Sequence, residues 1–480
     1  HGIGEIGDLP RLARWAKRAG LGAVQLLPVH EVGRGESSPY AAMTAFALDP
    51  VYVSLGLCED VVAARAVATP GGLEGRTVDW DGERARKLAA LEAAFGHFDA
   101  HERATGSVRA RAFDRFCEER RAWLDDFVSF FVLCEQHGRD VRRWSEGLRT
   151  RAPHALAEAR DRLATRLRFR AYVEWLLDEQ WTKARREAAA AGVELWGDLP
   201  FVVSADSADV WSHPDVFRLD VRAGAPPDPF SATGQDWGLP AYDWDTLAER
   251  SYDWMRARAA RAGELYDAYR VDHVVGLYRT YCFRSDAPSS FSPAHEPEQL
   301  RNGEAVLSVL KTGGRVIAED LGDIPDFVRA SLAQLAIPGF RVQRWEKDGH
   351  RFRDPAAWPA LSVATTGTHD TESLAAWWDV ISVDERRELV ALPGLGQLDP
   401  HARFGDRERD ALLRVVYGAP SQWVITPFAD LFGSHDRINV PGTVGPHNWV
   451  WRMPMSVEDL ERDEAATARL AGLSRDSARV

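Results

Sequence analysis

The sequence predicts an α/β fold: a (β/α)8 TIM barrel with helical and loop insertions, its first strand lying upstream of residue 1. Three observations predict it. Seven short apolar runs recur along the 480 residues, each closing on polar or charged side chains. Helical patterns separate many of them, which indicates a parallel sheet covered on both faces. A closed barrel of this type needs eight strands, and the chain opens abruptly on HGIGEIGDLP, where a first strand would already have passed. A doubly wound open sheet is the alternative.

The apolar runs are 23–27, 193–203, 268–274, 316–321, 339–345, 361–366 and 423–428. Residues 1–53 read as the barrel start. The GxGxxG-like stretch 1–7 follows no strand, and a dinucleotide fingerprint requires one. Residues 54–150 lack strand patterns, are rich in Ala, Arg and Glu, and read as an inserted, mainly helical subdomain. The rest of the barrel occupies 151–455 and begins with a long helix over 155–191, which carries apolar residues at helical spacing and has Gly192 as its stop. Within it, the segment 222–244 is polar, rich in Pro and Gly, and too long for a simple connection, so it reads as a functional loop. Residues 456–480 read as a polar, partly helical tail.

Composition excludes several classes. The net charge is −13 with 59 Lys and Arg, only five of them Lys, and no dense basic stripe of the kind nucleic acid requires. No run of 18 apolar residues exists, so no membrane span is expected, and no signal peptide is visible. The four cysteines, Cys58, Cys117, Cys134 and Cys282, form no CxxC pair, which fits reduced thiols in a cytoplasmic protein. His97 and His101 are spaced i,i+4 but lack the HExxH glutamate, and His369–Asp370 has no second His at ligand spacing. No metal and no cofactor are therefore expected. Eighteen tryptophans are many, and most are expected to serve the core.

Catalytic groups of such barrels come from the C-terminal ends of strands. Four strands here end in acids: VELWGDLPFVV with Asp198, YRVDHV with Asp272, VIAEDLGD with Glu319 and Asp320, and TTGTHDTE with Asp370. A single strand-end acid is more often a solvated cap; four in one chain point to a carboxylate cluster. Side chains alternate along a strand, so Arg270 and Asp272 point the same way. An Arg beside a carboxylate keeps it ionised, which suits a nucleophile. Glu319 would face negative neighbours and partial burial, which raise a carboxyl pKa and suit a general acid. Such a pair breaks glycosidic bonds. An Arg–Asp ion pair that only ties strand ends together would give the same pattern.

At these residues the chain resembles the 4-α-glucanotransferases, also called amylomaltases or disproportionating enzymes, of glycoside hydrolase family 77. The resemblance runs from about residue 2 to 452 in ordered blocks. They are GIGEIGDLP, SSPYAAMTAFALDPVYVS, GDLPFVVSADSADVWSHPDVFRLD, GAPPDPFSATGQDWGLPAYDW, YRVDH, VIAEDLGDIP, IPGFRVQRW, TTGTHDT and INVPGTVGPHNWVWR. It implies transfer of α-1,4-glucan segments between maltooligosaccharides by a retaining double displacement, with carboxyls about 5–5.5 Å apart. It also implies that Asp272 is the nucleophile, Glu319 the acid and base, and Asp370 a third carboxylate that grips sugar hydroxyls. Arg270 and His369 would support the same sugar, with Tyr40 and Asp198 in or near the groove. The resemblance also makes the loop 222–244 a lid over the glucan groove, from which Phe230, Gln235 and Trp237 would meet the glucan. The implied partners are maltooligosaccharides and α-glucans, without nucleic acid or membrane, and the implied state is monomer or homodimer.

Three departures bear on acceptor preference and on the ratio of transfer to hydrolysis, one being that the stretch 279–310 differs from the commoner pattern. Many relatives read DHFRGF after the nucleophile, where this chain reads DHVVGLYRTY, and WGLP stands where WGNP is usual, placing Leu239 at an amide position. The rival readings are an α-1,4-glucan hydrolase of the same clan and a catalytically silent glucan-binding protein.

Overall fold

A computed structural model describes residues 3–66, 77–227 and 233–479. Among the described residues thirteen strands occur in chain order: β1 (Ala23–Gln25), β2 (Glu194–Leu199), β3 (Phe217–Ala225), β4 (Gln235–Tyr242), β5 (Ala268–Val271), β6 (Thr280–Phe283), β7 (Ser290–Ser292), β8 (Arg315–Ala318), β9 (Gly339–Val342), β10 (Lys347–Asp348), β11 (Arg351–Phe352), β12 (Ser362–Thr365) and β13 (Trp423–Val424).

Each of the seven apolar runs contains one strand of a single parallel sheet, ordered β1-β2-β5-β8-β9-β12-β13. The sheet is a curled, barrel-type one. Trp196 of β2 meets Trp423 of β13 edge-to-face at 5.1 Å, although five strand pairings separate them in the order. Side-chain parity sorts the strands' apolar residues into two cores. Trp196, Ala268, Ile317, Phe340, Val342 and Val363 form an interior cluster, while Leu195, Tyr269, Val316 and Ala318 pack outward under the helices. Burial on both faces explains why these strands read as continuous apolar runs rather than alternating ones.

The described residues of 54–150 are mainly helical, the longest helices among them being Trp80–Phe98, Val108–Glu119 and Arg121–His137. Their aromatic side chains interlock with the barrel's long helix: Phe98 lies 5.0 Å from Tyr172 and 5.5 Å from Trp175. Eleven of the 18 tryptophans are buried, so most of them build core. The expected long helix is two, Pro153–Arg162 and Ala164–Ala190, broken at Leu163, where the backbone leaves helical values (φ −105°, ψ 10°). Gly192, at φ +76°, ends the second.

Of the described residues of 222–244, namely 222–227 and 233–244, most lie in strands rather than loop. β3 and β4 pair antiparallel and, with β6 and β7, form a second sheet ordered β4-β3-β6-β7. Gly224 serves close approach: a Cβ there would collide with the Gln235 carbonyl. The segment 456–479 is partly helical, as expected, and its helices pack on the core. Helices Val457–Arg462 and Glu464–Asp476 bury Leu460, Leu470 and Leu473 in the main core, and Thr467 accepts from the Trp15 indole at 3.1 Å. Charged side chains dominate the exposed face of these helices, which hid the buried stripe from a reading by composition.

Candidate active site

The parity that fills the barrel interior also builds the site one step further along each strand. Trp196 points inward, and so does Asp198. Ala268 points inward, and so do Arg270 and Asp272. Ile317 points inward, and so does Glu319. The ladder register sets Asp198 beside Arg270 and Arg270 beside Ile317. Three acids thereby converge on one guanidinium at the C-terminal ends of adjacent strands.

Arg270 is the hub. Its Nη1 lies 2.8 and 2.9 Å from the two oxygens of Asp198 and 2.9 Å from Oδ1 of Asp272, and its Nη2 lies 4.0 Å from Oε2 of Glu319. Burial would penalise the cation, but these carboxylates hold its pKa well above the ordinary arginine value. Asp198 is almost fully buried (1% exposed); its carboxylate is engaged by Arg270 and by the Tyr40 hydroxyl at 2.7 Å. Asp272 is more open, with 24% of its side chain exposed.

Glu319 is held from behind. Its Oε2 accepts from the His273 N–H at 2.9 Å and its Oε1 from the Leu321 N–H at 3.0 Å. His273 sits at φ +46°, a left-handed turn immediately after Asp272 that aims this N–H at Glu319. Burial is the main cause that pushes the Glu319 carboxyl up to about 7. The like charge of Asp272 adds to it, and Arg270 and the two N–H donors oppose it. A carboxyl that holds its proton near neutrality beside one bound to a guanidinium has the asymmetry that acid-assisted displacement needs. Burial takes the His273 imidazole down to about 4, so the ring is neutral at physiological pH.

Asp370 lies on the loop after β12. Its Oδ1 accepts from the Asn439 amide at 2.6 Å, and its Oδ2 is 3.4 Å from Nε2 of His369. The His369 ring stacks on Tyr40 at 5.2 Å, and Trp449 closes on both, 5.6 Å from each. Tyr40, His369 and Trp449 form one aromatic wall, and Tyr40 joins that wall to the Arg270–Asp198 pair. On the hairpin side, Trp237 meets His273 edge-to-face at 4.7 Å, while Gln235 begins β4 opposite Ala225 and is half-buried. Phe230 lies outside the described residues.

The structure thus brings together Asp272, Glu319, Arg270, Asp198 and Tyr40, with Asp370 and His369 joined through the aromatic wall. Sequence reasoning passed over His273, Asn439 and Trp449. Asn439 and Trp449 stand in the INVPGTVGPHNWVWR block, but an Asn and a Trp in a Gly/Pro-rich stretch carry no spacing signal. Among the described residues no group of three or more His, Cys, Asp or Glu side chains could hold a metal ion. Among the described residues no helix is long and apolar enough to cross a membrane.

A sequence model of a family described as 4-alpha-glucanotransferase matches residues 1–457. The 4-alpha-glucanotransferase of Thermus thermophilus is 34% identical over 473 residues, 94% of this chain and 92% of that protein. The one from Chlamydia caviae is 30% identical over 498 residues, 98% of this chain and 91% of that protein. The solved structure of amylomaltase from Streptococcus agalactiae in complex with acarbose matches at a TM-score of 0.86 and 26% identity, over 100% of this chain and 97% of that one.

Proposed function

The chain belongs to the 4-alpha-glucanotransferase family, and we propose that Asp272, Glu319 and Asp370 carry its transfer of α-1,4-glucan segments. Asp272 attacks the anomeric carbon while Glu319 gives its proton to the departing O4 of the leaving glucan. A β-linked glycosyl–enzyme results. Glu319, now a carboxylate, takes the proton from the 4-hydroxyl of an incoming glucan, which displaces Asp272. Two inversions give net retention. The single observation that carries this assignment is the pair of carboxylates on one guanidinium, with Glu319 pushed up to about 7 while Asp272 is bound directly by Arg270.

The remaining roles follow from exposure. Asp370, 40% exposed, is placed to bind sugar hydroxyls, and the Tyr40–His369–Trp449 wall offers faces on which a sugar ring stacks. Asp198 is buried beneath Arg270 and Tyr40, so its part in the site is to orient them. Trp237 on the hairpin side, with Gln235 nearby, lines the approach. Water exclusion there favours a positioned sugar hydroxyl over hydrolysis. The intact set of three carboxylates disfavours a silent glucan-binding protein. Acarbose, the ligand of the Streptococcus agalactiae amylomaltase, is a fitting probe of this groove. Four free cysteines fit a reducing cytoplasmic setting, and a monomer or homodimer is the state to test by light scattering.

Incubation with maltotriose alone is the decisive assay. Glucose together with a ladder of longer maltodextrins is expected, abolished in Asp272→Asn. Glucose and maltose with nothing longer would replace transfer by hydrolysis.

A further inference from the structure

The segment 437–449 holds the two halves of the site together, and its first residue reaches the backbone under Asp370. The segment is closed at its neck, where the Trp449 N–H donates to the Ile438 carbonyl at 2.8 Å. Inside it, the Asn448 side chain accepts from the Val440 N–H and donates to Thr443, each at 3.0 Å. One end carries Trp449, which packs on Tyr40 and His369. The other end carries Arg437.

Arg437 makes three contacts with one guanidinium. Nη1 lies 2.7 Å from Oε1 of Glu372, Nη2 donates to the main-chain carbonyl of Asp370 at 3.0 Å, and Nε donates to the Asn439 carbonyl at 2.8 Å. Asn439 in turn donates its side-chain amide to Asp370 Oδ1 at 2.6 Å and its main-chain N–H to the His369 carbonyl at 3.2 Å. Glu372 is shared: its Oε2 lies 3.4 Å from Nη1 of Arg344, a buried residue that also donates Nε and Nη2 to the Thr366 carbonyl. Residues 366–372 are therefore gripped at Thr366, His369, Asp370 and Glu372.

We infer that Arg437 is a positioning residue for Asp370: it fixes the Asp370 main chain directly and the Asp370 carboxylate through Asn439, in register with the Tyr40–Trp449 wall. The physical argument is one of degrees of freedom. Asp370 is the most open of the three acids, with 40% of its side chain exposed, and no strand holds it. Asp272 and Glu319, by contrast, stand one residue beyond β5 and β8. An exposed carboxylate on a loop grips a distorted ring only if both its backbone and its rotamer are set before the substrate arrives. A planar fork with fixed donors sets both; a lysine, with one point charge, reaches a single partner.

The inference rests on the reading of Asp370 as catalytic, so Asp370→Asn is measured alongside. The variants are Arg437→Ala and Arg437→Lys in the full chain, assayed for maltotriose disproportionation. Arg437→Ala is expected to lower kcat roughly 10- to 100-fold with KM within about threefold of wild type, since the lost interaction is felt at the transition state. Arg437→Lys is expected between the two, and tens of millimolar guanidinium ion is expected to restore part of the alanine variant's kcat. A purely structural role would lower Tm without a kcat that responds to guanidinium. Unchanged kcat in Arg437→Ala, or a loss that neither lysine nor guanidinium recovers, overturns the inference. Wild-type kcat in Asp370→Asn overturns the reading beneath it instead. If Arg437→Ala fails to fold, Glu372→Gln removes one anchor and is expected to lower kcat roughly fivefold; no change there overturns the inference as well.

Discussion

Glu319→Gln is expected to inactivate the enzyme and, above neutral pH, to stabilise it. The Glu319 carboxyl is raised from 4.5 to about 7, chiefly by burial. At about 1.4 kcal/mol per pH unit, the ionised side chain then costs the folded state about 3 kcal/mol relative to the unfolded one. The sign follows from which state holds the proton. Below pH 4.5 both states are protonated and the wild type bears no penalty. Between 4.5 and about 7 the unfolded chain releases its proton first, and wild-type stability falls as pH rises. Above about 7 the full penalty is present. Glutamine does not titrate and escapes it. Its amide has one acceptor oxygen for two N–H donors, those of His273 and Leu321, which returns about 1 kcal/mol, leaving a net gain of about 2 kcal/mol. With an unfolding entropy of roughly 2.1 cal/mol/K per residue over 480 residues, that corresponds to a Tm about 2 °C above wild type. Tryptophan fluorescence melting from pH 4.5 to 8 tests it. The expected difference is near zero or slightly negative at pH 4.5 and about 2 °C at pH 8. A difference that does not change with pH, or one that shrinks as pH rises, refutes the argument that Glu319 ionises at a cost in the folded protein.

Three further outcomes follow from the same geometry. The kcat/KM of maltotriose should fall on the alkaline side with an apparent pKa of about 7, as Glu319 loses the proton it must donate; a flat profile to pH 9 would assign the acid elsewhere. Asp198→Asn should lower kcat roughly 10- to 100-fold with little change in KM, because Asp198 orients Arg270 and Tyr40 from beneath, whereas a raised KM with normal kcat would mean direct sugar contact. Trp237→Ala, which opens the hairpin side next to His273, should raise the share of hydrolysis products over transfer products severalfold without abolishing bond cleavage, as chromatography of the maltodextrin ladder would register.

Strand periodicity and strand-end chemistry made much of this protein legible in one dimension. The seven apolar runs each hold a barrel strand, because a strand buried on both faces must be apolar throughout. The acids that follow those runs mark the ends at which the barrel opens. Parity alone placed Arg270 and Asp272 on one side. What composition could not separate was polar chain that pairs from polar chain that does not: the described residues of 222–244 include the paired strands β3 and β4, and the partly helical segment 456–479 is docked on the core.

The sequence determined which side chains could do the chemistry; the fold decided what each of them meets. Asp198 and Asp272 carry the same carboxylate after similar apolar runs. One is sealed under Arg270 and Tyr40 while the other stays open, a difference set by strand register and by what lies above each strand. Glu319 owes its raised pKa to depth in the barrel mouth, which no local pattern encodes. Asp370 owes its position to Asn439 and Arg437, nearly seventy residues away in the chain. Burial and long-range contact are properties of the assembled chain, so they entered only with the tertiary structure.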